Sequence, residues 1–189
     1  VVLTADSCAD LKPAIASRCA QVALRPLPRN LIKHLLSKRW GASPERADVL
    51  ARLSNGRLGW AVSLLKDDSP LDTRSVRLSE LHTLLSAGRV ERFAYADGLS
   101  KNRGEISSTL ELWECWWRDV MHVAAGANTS ITNADRHEDV VLVADSLTVR
   151  EAARAVSSVR TAQTSMVHNA NARMVLEVLL LDPPRISIG

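Results

Sequence analysis

The sequence predicts a mainly α-helical protein that opens with a small α/β remnant. Apolar residues recur at helical spacing through most of its 189 residues. Seven Pro and eight Gly are too few for a turn-rich all-β protein, and 46% hydrophobic with 24% charged residues excludes disordered and collagen-like chains. The two strand candidates, Val1-Val2-Leu3-Thr4 and Gln21-Val22-Ala23-Leu24, both lie near the N-terminus.

The elements follow in order. Val1 to Thr4 reads as a buried strand, residues 13–19 as a short helix, and Gln21 to Leu24 as a second strand that Pro26 and Pro28 end. Two short strands do not make a stable sheet. The expectation is therefore that this is a fragment, whose preceding part supplies the rest of that sheet. Residues 30–40 carry Leu31, Ile32, Leu35, Leu36 and Trp40 near the helical period and stop at Gly41. Ser43-Pro44-Glu45 starts the next helix with an N-cap, Pro at the first helical position and an early acid. That helix ends at Asn55-Gly56, and residues 58–65 form a third, so that three short helices make one small bundle. Asp67-Asp68-Ser69-Pro70 is a polar break. Longer helices follow over 75–86, 90–100, 105–125, 134–145, 149–168 and 172–181. Thr148 with Glu151 forms a capping box, and Asn171 caps the last helix. That helix is apolar on most faces and is expected to be central, whereas its predecessor buries one stripe of Val149, Ala152, Ala153, Val156 and Val159.

Charge divides the chain. Residues 1–70 hold eleven Lys and Arg against six Asp and Glu, and residues 71–189 hold thirteen against fifteen. Residues 11–44 contain seven basic side chains (Lys12, Arg18, Arg25, Arg29, Lys33, Lys38, Arg39) and no acidic one, which reads as a solvated basic face or as a surface for phosphate. No apolar run reaches the roughly 18 residues of a membrane span and no leader is visible, so the cytoplasm is the expected compartment. Cys8, Cys19 and Cys115 form no C-x-x-C pair and read as reduced, structural thiols.

No Gly-rich phosphate loop, H-E-x-x-H or G-x-S-x-G is present, so the local parts of the commonest catalytic sites are missing. Cys115 and His122 share a predicted helix face, but two turns hold them about 10.5 Å apart, beyond a hydrogen bond. Trp113, Trp116 and Trp117 have the spacing of a core stripe, with base stacking as the alternative. No metal spacing emerges from the histidines. Ser17-Arg18-Cys19 stands apart: the planar fork of an arginine at the edge of a sheet domain can reach a phosphate on a neighbouring subunit, with a merely solvated edge arginine as the alternative.

The stretch Val1 to Pro28, which contains Leu11-Lys12-Pro13-Ala14-Ile15-Ala16-Ser17-Arg18-Cys19, resembles the final strands of the ATPase core in bacterial DNA polymerase III clamp-loader subunits. There an L-x-P-x-I-x-S-R-C motif precedes a strand. Ala51-Arg52-Leu53-Ser54-Asn55-Gly56-Arg57-Leu58-Gly59-Trp60-Ala61 is similar to the helical lid of that family. Leu112-Trp113-Glu114-Cys115-Trp116-Trp117-Arg118-Asp119 and Asn169-Ala170-Asn171-Ala172-Arg173-Met174-Val175-Leu176-Glu177 are similar to its collar.

The resemblance implies three parts: the C-terminal remnant of an AAA+ core over 1–28, a lid over 29–70 and an oligomerising collar over 71–189. It implies that Arg18, with Ser17 and Cys19 around it, is a trans arginine finger for ATP bound by the adjacent subunit. Thr4 falls near the family's phosphate-sensing polar residue, with Ala5 as the alternative register. Where ATP-hydrolysing members carry a sensing Arg in a G-x-x-R pattern, counting from Gly56 gives Gly59. A retained finger without that sensor resembles the delta-prime type more than gamma/tau. The implied role is loading the sliding clamp on primed DNA together with gamma/tau and delta subunits. ATP and Mg would sit in those neighbours, with no cofactor, metal or complete catalytic site in this chain. An autonomous helical DNA-binding module is the reading from another class.

Overall fold

The computed structural model describes residues 1–5, 11–127, 131–181 and 183–184, and its regular structure is helical throughout. A four-residue helix, α1 (Pro13–Ala16), precedes a bundle of α2 (Arg29–Trp40), α3 (Pro44–Leu53) and α4 (Leu58–Ser63). A larger assembly follows, made of α5 (Ser69–Ser86), α6 (Arg89–Ser100), α7 (Arg103–Ala124), α8 (His137–Asp145), α9 (Val149–Val167) and α10 (Ala172–Leu181).

The two N-terminal strands do not form among the described residues. Val1, Val2, Val22 and Leu24 are exposed, because neither segment has a strand to pair with and an unpaired extended run gains nothing from its β-branched side chains. The mainly helical class holds.

The first bundle shows how local chemistry sets boundaries. Gly41 takes a left-handed φ of 69° and closes α2, and the Ser43 hydroxyl accepts from the Arg46 N–H at 3.2 Å to open α3. Asn55 and Gly56 turn the chain into α4 with φ of 47° and 83°. Glycine is required at 56: a Cβ there would overlap the Pro26 side chain, and its carbonyl accepts from the Leu27 N–H at 2.9 Å. Ile32, Leu36, Ala47, Leu50, Ala51, Ala61 and Leu64 form the core of this bundle.

Helix α5 begins six residues earlier than the hydrophobic pattern predicts. The Asp67 carboxylate accepts from the Ser69 N–H at 2.9 Å and from its hydroxyl at 2.6 Å, and Pro70 occupies the first turn, so half of the polar break is helix. Leu71 of that added turn packs on the first core, while Leu78, Leu81, Leu84 and Leu85 enter the second. The guanidinium of Arg92, 3% exposed, donates to the Leu84 and Leu85 carbonyls and so satisfies the end of α5.

Trp113, Trp116 and Trp117 are all buried in the second core, as their core spacing predicts. The Thr148–Glu151 capping box forms in full, and the Asn171 side chain accepts from the Met174 N–H at 3.2 Å. The buried stripe of α9 is Ala152, Ala155, Val156, Val159 and Ala162; Val149 and Ala153 lie outside it. Helix α10 is not fully enclosed. Packed on α6 and α9, it buries Leu176 and Leu180 and leaves Met174 and Val178 exposed at 63% and 72%. Among the described residues no helix is long and apolar enough to cross a membrane.

Candidate functional site

Ser17, Arg18 and Cys19 follow the single turn of α1. The Arg18 N–H bonds to the Ile15 carbonyl at 3.0 Å and the Cys19 N–H to the Ala16 carbonyl at 3.3 Å, while the Ser17 hydroxyl donates to the Ala14 carbonyl at 3.4 Å. The Arg18 side chain is exposed, with no carboxylate partner among the described residues. Cys19 is also exposed, so of the thiols expected to be structural only Cys115 packs into the fold; Cys8 lies outside the described residues. Thr4 is exposed and lies outside any helix or strand.

The basic stretch is partly neutralised where the chain folds. Arg29, Lys33 and Arg52 converge on Asp48 at 2.7, 3.0 and 3.0 Å, and these three cations, Arg29 first, hold its carboxyl well below the usual carboxylate range. Lys12, Arg18, Arg25, Lys38 and Arg39 stay exposed.

A chain of polar groups organises the second assembly. Asp119, 1% exposed on α7, accepts from the Thr132 N–H at 3.1 Å and from the Asn133 N–H and Nδ2, each at 2.7 Å. The Asn133 Oδ1 in turn accepts from Arg74, 8% exposed, which also donates to Asp135 at 2.6 and 3.2 Å. Buried polar groups need such partners. This network fixes the segment before α8 to α5 and α7. Burial, then the nearby Asp119 charge, push the Cys115 thiol up, which keeps it a neutral thiol and away from nucleophilic chemistry. Beside the network runs a groove of about 700 Å³ between the two helical assemblies, with Trp60 and Arg57 on one wall and one face of α7 on the other.

The sequence model of the family described as DNA polymerase III, delta subunit, C terminal matches residues 70–183. This chain belongs to that family. No curated protein and no solved structure matches it. The matched region holds α5 to α10, and with them the second core, the polar network and the α7 wall of the groove. Membership makes this a clamp-loader chain of the DNA polymerase III system.

Within this clamp-loader chain, Gly59 sits exposed on α4, where a Cβ would meet nothing within 4 Å. Sterics therefore do not impose glycine at that position. Arg57, close to it in sequence, is engaged with Glu111 of α7 at 2.6 Å. Sequence reasoning missed the Asp119–Asn133–Arg74–Asp135 network, whose partners stand up to 61 positions apart. It also missed the outward apolar stripe of α10. There a signal existed: Met174, Val178 and Leu181 repeat at i, i+4, i+7 beside the buried pair Leu176 and Leu180.

Proposed function

We propose that this chain carries the end of the ATPase core, the lid and the collar of a delta-prime-type clamp-loader subunit. Its work is to help place the sliding clamp on primed DNA. The family match over 70–183 carries the clamp-loader part of this reading, and the Ser17-Arg18-Cys19 motif, with Gly59 where a sensing arginine would stand, supports the delta-prime assignment. In this reading 29–70 is the lid and 71–189 the collar. Arg18 reaches the γ-phosphate of ATP, with its Mg²⁺, held by the adjacent subunit, where a guanidinium fork stabilises charge developing in phosphoryl transfer. Its exposure, and the lack of a competing carboxylate among the described residues, suit that role. Gly59 in place of a sensing arginine suits a subunit that donates a finger and reads no nucleotide of its own.

The outward stripe of α10 supports assembly through the collar, against collars of gamma/tau and delta neighbours. The gamma/tau assignment is the alternative within the family. An autonomous DNA-binding module is the weaker reading, since Asp48 occupies Arg29 and Lys33 of the basic stretch. The test is co-elution of the 189-residue chain with gamma/tau subunits in size-exclusion chromatography. Complex formation that persists at high salt and is lost in Val178→Glu supports the reading. A folded chain that binds no loader subunit at micromolar concentration, yet binds DNA with steep salt dependence, overturns it.

A further inference from the structure

The groove between the two assemblies has a length, an arginine without a carboxylate partner among the described residues, and an apolar lining. On α7 its wall runs from Glu105 to Arg118, which at about 1.5 Å per residue is about 20 Å. That is the span of about six residues of extended chain at about 3.3 Å each. Every glutamate of the wall is already paired: Glu105 with Arg77, Glu111 with Arg57 at 2.6 Å, and Glu114 with Arg160 at 2.8 Å. Arg74 is held by Asp135. Arg118, half-buried at the far end beside Thr132 and Asn133, has no carboxylate partner among the described residues. The groove is lined on its apolar side by Trp60, Leu53, Pro26 and Leu112.

We infer that this groove is a docking site for an extended segment of a partner protein. Such a segment places an aromatic or large aliphatic side chain between Trp60 and Leu112 and a carboxylate on Arg118. Leu112 to Arg118 is about 9 Å along α7 and about a third of a turn around it, since six residues turn a helix by about 600°. The diagonal is longer than the rise alone, and an extended segment covers it in about three to four residues, so the acid stands three or four positions from the anchor. A partly desolvated guanidinium recognises a carboxylate through two parallel hydrogen bonds, and the indole wall supplies the apolar contact, the usual division between specificity and area in peptide grooves. A wall about 20 Å long favours a peptide over a compact anion. The inference stands on the groove alone and is independent of the proposed subunit assignment.

The probe is a fluorescein-labelled peptide, Gly-Gly-Glu-Ala-Ala-Phe-Ala-Ala-Glu, which carries an acid three positions to either side of its anchor. It is titrated with the 189-residue chain and followed by fluorescence anisotropy. Saturable binding is expected, weakened about tenfold by Arg118→Gln, as befits a hydrogen-bonded charge. Replacing both glutamates of the probe by glutamine has the same effect, and combining the two changes adds little further loss. Trp60→Ala weakens binding, while an acidic peptide of the same composition in scrambled order binds at least several-fold more weakly to the wild-type chain. Far-UV circular dichroism and an unchanged melting temperature establish that Arg118→Gln is folded. No saturable binding up to millimolar probe, equal binding of the glutamine and scrambled probes, equal binding by folded Arg118→Gln, or benzoate competing as well as the peptide does would each overturn the inference.

Discussion

Replacing Asp119 by alanine tests whether the polar network holds the second assembly together. The substitution removes the acceptor of three hydrogen bonds and leaves the Thr132 N–H, the Asn133 N–H and the Asn133 Nδ2 without it. A hydrogen bond to a charged acceptor is worth about 1.5–3 kcal/mol, and a buried orphaned donor costs about 1–3 kcal/mol. Thr132 is half-buried and lines the groove, so water can take over its N–H. Asn133 is 1% exposed, and its two donors stay dry. With two donors unsatisfied, and with the Asn133 amide no longer held for Arg74, the cost is about 3–5 kcal/mol. In a chain of this size that lowers the melting temperature by about 6–20 °C.

Asp119→Asn keeps one oxygen, which can still serve Asn133, but turns an amino group toward the Thr132 N–H; about 1–3 kcal/mol is expected. The assay is urea unfolding of wild type, Asp119→Ala and Asp119→Asn, followed by tryptophan fluorescence. Trp113, Trp116 and Trp117, three of the five tryptophans, belong to the second core, and all three proteins carry Trp40→Phe and Trp60→Phe as a reference background so that the signal reports that assembly. The midpoints should fall in the order wild type, Asn, Ala. An alanine variant within 1 kcal/mol of wild type would refute the account, because it would mean that the network adds nothing beyond the apolar core.

Asp48→Asn should cost about 1–2 kcal/mol at pH 7, a modest value because its partners are 31–42% exposed and water screens them. Its folded-state pKa is depressed, so the stabilisation is complete above about pH 5 and is lost as pH falls below about 4; the wild-type and Asn midpoints should therefore converge toward pH 2. Gly56→Ala should cost about 2 kcal/mol or more in thermal unfolding, since a strained φ of 83° adds to overlap with Pro26, whereas Gly41→Ala, at φ 69° with open space around it, should cost about 1 kcal/mol. Arg18→Ala should leave the melting temperature unchanged yet lower the DNA- and clamp-stimulated ATPase of the reconstituted loader, with poor rescue by Arg18→Lys, which lacks the fork. A finger can be worth roughly 10³-fold where one site fires alone, and losing one among several in a ring costs less.

Much of the helix plan is legible in the sequence because the signals that end helices are local. Gly41, the Ser43-Pro44 pair and the Thr148–Glu151 box each specify a boundary within a few residues, and the structure has helices ending and starting there. Where a boundary depends on a side chain reaching back, the pattern fails, as with Asp67 drawing Ser69 and Pro70 into α5. Which stripe is buried also depends on neighbours. Ala153 and Ala155 are the same residue type two positions apart, and only the packing of α9 on α7 and α10 makes Ala155 the inner one. The groove, with Arg118 unpaired among the described residues, has no sequence signature, since it exists only where α4 and α7 face each other. Arg18 is the reverse case, marked by its motif and left bare by the fold.

The outward stripe of α10 bears on why the chain should need neighbours instead of pairing with itself. Met174, Val178 and Leu181 are 63%, 72% and 43% exposed, so covering them completes a burial that is already partial at Leu181. Full burial of such a side chain is worth about 1.5–3 kcal/mol, which puts the stripe at roughly 3–5 kcal/mol after discounting what is already covered, and at about twice that when two copies face each other. Bringing two molecules together costs about 4–15 kcal/mol in lost freedom. Alone, the stripe therefore gives a monomer or a weak dimer. Placed within a larger surface between different subunits, where the cost of association is met once by the whole interface, the same few kcal/mol become decisive. Val178→Glu should then abolish assembly while leaving the melting temperature nearly unchanged, because its side chain contributes little to the fold of its own chain. A substitution at Leu176 or Leu180, on the opposite face, should instead lower stability by about 2–5 kcal/mol as a cavity opens between α10 and α6.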